Sequence, residues 1–144
     1  MRRGAPLQSR SSLARTSRLA PVSPKRRTQN QRDHTRAVRD EVYARDGWAC
    51  IAGHLPTHRC MGGLSPHHLR KSGQGGKYTL GNLVTLCASM NTWVEDEPNL
   101  AYELGLVVRR GETEEDAWIK MRAAGLVTYG PDGGPGRPPK RVGP

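Results

Sequence analysis

Leu83-Val84-Thr85-Leu86 is a short apolar run with two β-branched members, preceded by Gly81-Asn82 and followed by residues 88–95, which contain no helix breaker. A run this short, bounded by turn residues, reads as a buried strand rather than a helix. Upstream, Gly73-Gln74-Gly75-Gly76-Lys77 is too rich in glycine for strand or helix and reads as a loop. Residues 64–69, carrying Pro66-His67-His68-Leu69, form the first strand of a hairpin closed by that loop. Residues 88–95 continue as a helix. The order strand, loop, strand, helix can bring His67, His68 and Asn91 to one point.

Only 35% of the residues are hydrophobic and Phe is absent, so 144 residues make one domain with a small core and extensions. Small cores usually need a metal or another staple. Cys50, Cys60 and Cys87 do not suggest a secreted disulfide framework. They can instead share a structural zinc, with His54 or His58 as a fourth ligand, since zinc accepts mixed sulfur and imidazole donors. The other reading makes all three small buried hydrophobes in a zinc-free loop.

The net charge of +10 is concentrated at the ends. Residues 1–32 hold nine Lys or Arg and no acid, with Lys25-Arg26-Arg27 the densest cluster, while residues 33–129 are nearly neutral. Low apolar content and Pro6, Pro21 and Pro24 predict a disordered basic arm over 1–32, and the Gly/Pro-rich residues 130–144 a disordered tail. Such an arm is either a solvated solubility segment or a polyanion-binding one, because Lys and Arg gain affinity by releasing phosphate counterions. No apolar run approaches a membrane span and no secretory-type apolar block follows the first arginines, so a cytoplasmic location without membrane partners is expected.

The remaining periodicity predicts a helix over 33–46, with Ala37, Val38, Val42 and Tyr43 near one face, His34 solvated at its start and Gly47 as the C-terminal cap. Arg36 and Arg39 sit on that helix as flanking cations or as an ordinary wet face. Trp48 is expected in the core. Asp96-Glu97-Pro98 opens a second helix whose apolar face is Leu100, Ala101 and Leu104 and which ends at Gly105. Residues 106–108 read as a short strand. Thr113 with Asp116 caps a helix over 114–124, with Ala117, Trp118 and Met121 facing inward.

The motif His67-His68, Gly75-Gly76, Asn82-Leu83-Val84-Thr85-Leu86-Cys87 and Met90-Asn91, followed by Trp93-Val94, Pro98 and Leu104-Gly105-Leu106-Val107, resembles the HNH endonucleases, especially the small bacteriophage-encoded ones. The likeness covers residues 38–108, about half the chain. It implies an α+β fold with a ββα-metal core of hairpin and helix plus flanking helices. It assigns His67 and Asn91 to a divalent metal, His68 to the general base that deprotonates water, and Asn82 to orienting that base. Asn91 stands where most members carry histidine, as in the H-N-N variant. Two Cys-x-x-Cys knuckles hold a structural zinc in many relatives; here each has lost its second thiolate, at Gly53 and Met90.

The resemblance implies a metal-dependent DNA endonuclease, nicking or cutting both strands, with Mg²⁺ or Mn²⁺ as the fitting ions and Ni²⁺ or Zn²⁺ also compatible with an imidazole ligand. Its partners would be DNA and, for a phage protein, the genome-packaging machinery; no oligomeric state is legible. Arg70, Lys71 and Lys77 in the loop, with Lys25, Arg26 and Arg27, are the expected nucleic-acid contacts. The alternative is an HNH-fold nucleic-acid-binding protein that has lost catalysis, for which Asn91 and the eroded knuckles speak. A weaker third reading is an RNA-binding protein using the arginine-rich arm.

Overall fold

The computed structural model describes residues 23–133, so the expectations for 1–22 and 134–144 lie outside the described residues. The elements are helix α1 (Pro24–Arg45), strands β1 (Leu64–His68) and β2 (Leu83–Cys87), and helices α2 (Ala88–Asp96), α3 (Pro98–Glu103) and α4 (Glu114–Ala123). This is an α+β arrangement around a two-stranded antiparallel hairpin, in which His67 pairs with Val84 and His68 with Leu83. No helix among the described residues is long and apolar enough to cross a membrane.

Every residue of β2 is buried, in keeping with its apolar run: β1 pairs along it and α1 and α2 pack against it. Leu69, Val84, Leu86, Met90, Val94, Leu106, Trp118 and Met121 form the centre of the core. α2 follows β2 without a linker and buries Met90 and Val94, four residues apart on one face. α4 starts with a capping box in which the Thr113 hydroxyl and the Asp116 carboxylate bond reciprocally to backbone amides. Tyr102 of α3 lies between Arg109 and Lys120, whose cationic ends stand 3.6 and 3.3 Å from its ring centroid.

The structure departs from the sequence reading at several points. α1 begins at Pro24 rather than residue 33, because Ser23 caps it by accepting from the Arg26 amide and Pro24 fits the first turn. Residues 24–32 are therefore helical, not disordered, and His34 is solvated in mid-helix rather than at the start. Trp48 is not a core residue: it is 58% exposed at φ 55°, with its ring 5.4 Å from Tyr43. Leu100 is exposed, whereas Ala101 is buried. Residues 106–108 form no strand; Leu106 and Val108 are buried in irregular chain, and the Val108 amide donates to the Leu69 carbonyl. The glycine loop contains a 3₁₀ turn at Ser72–Gln74. Residues 130–133 form a turn that packs against Arg45 through the Pro131 carbonyl, so the expected disorder does not begin at residue 130.

The end of α1 is tied down by a buried ion pair. Arg45 and Asp46 meet at 2.7 Å with side chains 4% and 0% exposed. All five Arg45 N–H groups find acceptors: both Asp46 oxygens and the carbonyls of Leu80, Pro131 and Leu83. Asp46 also accepts from the Thr85 amide and the Tyr129 hydroxyl. One pair thus joins α1, the turn before β2, β2 itself and the C-terminal segment.

Candidate metal and catalytic sites

Along β1, alternation sends the His67 ring inward, where it is 8% exposed, and leaves His68 half-buried. Both nevertheless line one pocket of about 340 Å³, with Pro66, Lys71, Ser72, Asn91 and Glu95. The Nε2–H of His67 donates to the Leu106 carbonyl at 2.8 Å. That bond leaves a lone pair on Nδ1 of the neutral ring. Nδ1 lies 3.0 Å from Oδ1 of Asn91, whose Nδ2 donates to Ser65 Oγ at 2.5 Å.

Two acceptors thus face each other with no proton between them. Protonating His67 would relieve the contact, but burial lowers its pKa, against smaller upward effects from Leu106 and Asn91. A cation relieves it directly. Two ligands ~2.1 Å from a shared octahedral ion and ~90° apart lie ~3.0 Å from one another, the separation of this pair. The backbone carbonyl behind His67 is the outer partner that orients a ligating imidazole. Rotating the Asn91 amide by 180° would instead donate an N–H to His67, so the amide must keep this orientation for the pair to offer two acceptors.

His68 rests edge-on against Tyr78, with ring centroids 5.6 Å apart. Partial burial lowers its pKa, so the neutral, proton-accepting ring predominates at neutral pH. Asn82 does not touch His68. It is buried, accepts from the Arg70 amide through Oδ1, and donates through Nδ2 to the Arg70 and Lys77 carbonyls. These three bonds hold the loop that leaves β1, and no hydrogen bond joins Asn82 to His68 among the described residues. Gly76 belongs to the same clamp, because a Cβ there would overlap the Arg70 carbonyl.

The loop cations divide. Arg70 donates to Glu114 at 2.8 Å and to the Glu112 carbonyl, which ties the loop to the start of α4. Lys71 lines the pocket and pairs with Glu95 at 2.6 Å. Lys77 is exposed beside a second depression with Thr79, Asn82 and Glu114. Lys25, Arg26 and Arg27 are exposed on the first turns of α1.

A second cluster sits at the other end of the hairpin. Donor atoms of Cys50, His58, Cys60 and Cys87 all lie within 4.8 Å of one another, a set that could hold a metal ion. His58, not His54, is the nitrogen donor; its Nε2 is 3.2 Å from Cys87 Sγ. Cys60 Sγ lies 3.2 Å from where a Cβ on Gly53 would stand, so a thiol from seven residues downstream fills the space a knuckle residue would use. Burial pushes the Cys50 thiol up to about 12, with smaller opposing hydrogen bonds. For Cys87 burial acts upward too, but bonds from Ser89, His58 and the Met90 and Met61 amides together bring it down to about 6, towards the thiolate that ligates metal. Two sulfurs ~2.3 Å from a tetrahedral zinc are ~3.8 Å apart, so binding asks the widest pair to close by at most ~1 Å.

Sequence reading missed Ser65, Tyr78, Glu95 and the Leu106 carbonyl. Glu95 had a signal, since it stands four residues after Asn91 on the same helix face. Tyr78 and the carbonyl had none, because their approach depends on chain path. No family model, no curated protein and no solved structure matches this chain.

Proposed function

We propose that the protein is a metal-dependent DNA endonuclease of the HNH type, built on a ββα-metal core. The observation that carries this reading is the convergence of His67 Nδ1 and Asn91 Oδ1 at 3.0 Å beside a neutral His68 in one open pocket. A divalent cation, Mg²⁺ or Mn²⁺ by donor type, would be held by His67 and Asn91 and would stabilise charge on the scissile phosphate and its departing oxygen. His68 would take a proton from a water as its oxygen attacks phosphorus; the P–O3′ bond breaks, the departing O3′ takes a proton from solvent, and the products are a 3′ hydroxyl and a 5′ phosphate. Asn82 keeps the loop after His68 in place, and Lys71, on leaving Glu95, meets a phosphate oxygen.

The Cys50, His58, Cys60 and Cys87 cluster is, in the same reading, a structural zinc site that staples the segment before β1 to the end of β2. Elemental analysis should find one zinc per chain. Ligand linkage then makes the unfolding midpoint rise with free zinc, by ~1.4 kcal/mol of stability per tenfold increase above Kd. A midpoint indifferent to zinc, or lost binding in His54→Ala rather than His58→Ala, would remove the site.

Cleavage of supercoiled plasmid tests the nuclease reading. Nicked circles should form with added Mg²⁺ or Mn²⁺ and not without an added divalent ion. Chelators are avoided because they would also strip a cysteine-bound zinc. Asn91→Ala should raise the half-saturating metal concentration at least ~10-fold, the loss typical of disturbing a metal's surroundings. If the wild-type protein binds DNA but cuts with none of these ions, nor with Ni²⁺, the catalytically inactive binding protein is the better account.

A further inference from the structure

We propose that Lys25, Arg32, Arg36 and Arg39 form a track on α1 for the backbone of duplex DNA, leading towards the pocket of His67, His68 and Asn91. This deepens the nuclease reading and rests on it for the identity of the polyanion. Spacings of seven, four and three residues, at ~100° per residue, place these four side chains within an arc of roughly 60°. Tyr43 continues the row four residues further on. Arg26 and Arg27, expected from sequence to act with Lys25, fall on other sides of the helix.

The row lies on a part of α1 that the core does not use. Val42 is the helix's buried residue, while Lys25, Arg32 and Arg36 are exposed and Arg39 is half-buried. Gln31, Arg32, Thr35, Arg36 and Arg39 line a shallow groove of about 230 Å³. Arg39 pairs with Asp40 at 2.8 Å and lies 5.9 Å from the Tyr43 ring centroid. At the end of the row the Tyr43 hydroxyl donates to the Leu64 carbonyl at 3.0 Å, at the start of the strand that carries His67 and His68. The row therefore ends on the strand that carries the proposed base.

Apart from the Arg39–Asp40 pair, this pattern costs the isolated helix stability. Like charges four apart, as at Arg32 and Arg36, weaken a helix, and the first turn carries no acid to offset the positive end of its dipole. A polyanion reverses both effects. From residue 25 to residue 39 the helix rises ~21 Å, about six phosphate spacings along one strand of duplex DNA. Exposed Trp48, tilted against Tyr43 with ring centroids 5.4 Å apart at the far end of the row, supplies an aromatic surface beside the same path.

The test is binding of the full chain to a 30-base-pair duplex between 50 and 200 mM salt, without catalytic metal. The variant Lys25→Gln/Arg32→Gln/Arg36→Gln/Arg39→Gln retains good helix formers, and circular dichroism checks its helicity. It should flatten the slope of log affinity against log salt by about 3–4, since each neutralised phosphate contributes about 0.9. Its hydroxyl-radical footprint should shorten by about six base pairs. Arg26→Gln/Arg27→Gln, off the row, should change the slope by less than one. An unchanged slope and footprint overturn the track, as does an equal loss per charge on and off the row, or an equal loss on duplex RNA. Plasmid nicking separates the two readings: cutting with an unchanged slope removes the track alone, and a flattened slope without cutting removes the nuclease alone.

Discussion

His68→Ala is expected to lower metal-dependent plasmid nicking by about 10²–10⁴-fold, the usual contribution of a positioned general base. The ring occupies the open side of the pocket, next in chain to the inward-facing His67 and within reach of the same space. Burial lowers its pKa, so the variant removes a proton acceptor that is already neutral at pH 7. Its ring meets Tyr78 edge-on, and the loss of one such contact costs about 0.5–1.5 kcal/mol. The fold and DNA affinity should therefore survive, and the slope of binding against salt should stay at its wild-type value. His67→Ala differs in kind, because it opens a buried position between Asn91 and Leu106 and should weaken metal binding and stability together. Rates within tenfold of wild type for His68→Ala would take the base away from this residue.

Asp46→Ala is expected to destabilise the fold by about 3–5 kcal/mol, the cost of leaving one member of a buried pair without its partner. Arg45 would keep its charge in a site where its side chain is 4% exposed. The Thr85 amide and the Tyr129 hydroxyl would also lose their acceptor. For a domain of this size the midpoint of thermal unfolding should fall by roughly 12 °C or more. Tyr129→Phe removes a single bond to a charged acceptor and should cost about 1.5–3 kcal/mol. Replacing both ions by apolar residues, Arg45→Met with Asp46→Leu, removes the orphaned charge but leaves the Thr85 amide and the Tyr129 hydroxyl without their acceptor, so it should recover only part of the loss. A loss below ~1 kcal/mol for Asp46→Ala would show that water reaches the pair.

Periodicity and punctuation were enough for the local elements. The hairpin, the helix that follows it, the Thr113 cap and the Pro98 start depend on side chains a few residues apart, so their signals lie side by side in the chain. The same holds for the proximity of His67, His68 and Asn91, which follows from strand, turn, strand and helix in succession. α1 was foreseen only in part, because prolines and a run of like charges argue against helix locally. Ser23 capping and a C-terminal anchor of five hydrogen bonds outweigh them.

By itself, then, the chain determined an α+β hairpin-and-helix unit, two paired histidines with an asparagine in reach, and three cysteines with a choice of histidines. Tertiary structure decided what each of these does. It bonded Asn82 to the loop after β1, paired Arg70 with Glu114, and placed His58 rather than His54 beside the cysteines. It brought Cys60 into the space left by Gly53 and turned Trp48 out of the core. Those outcomes depend on atoms distant in sequence competing for the same space and the same hydrogen bonds. No local propensity encodes that competition; it is settled only when the whole core closes.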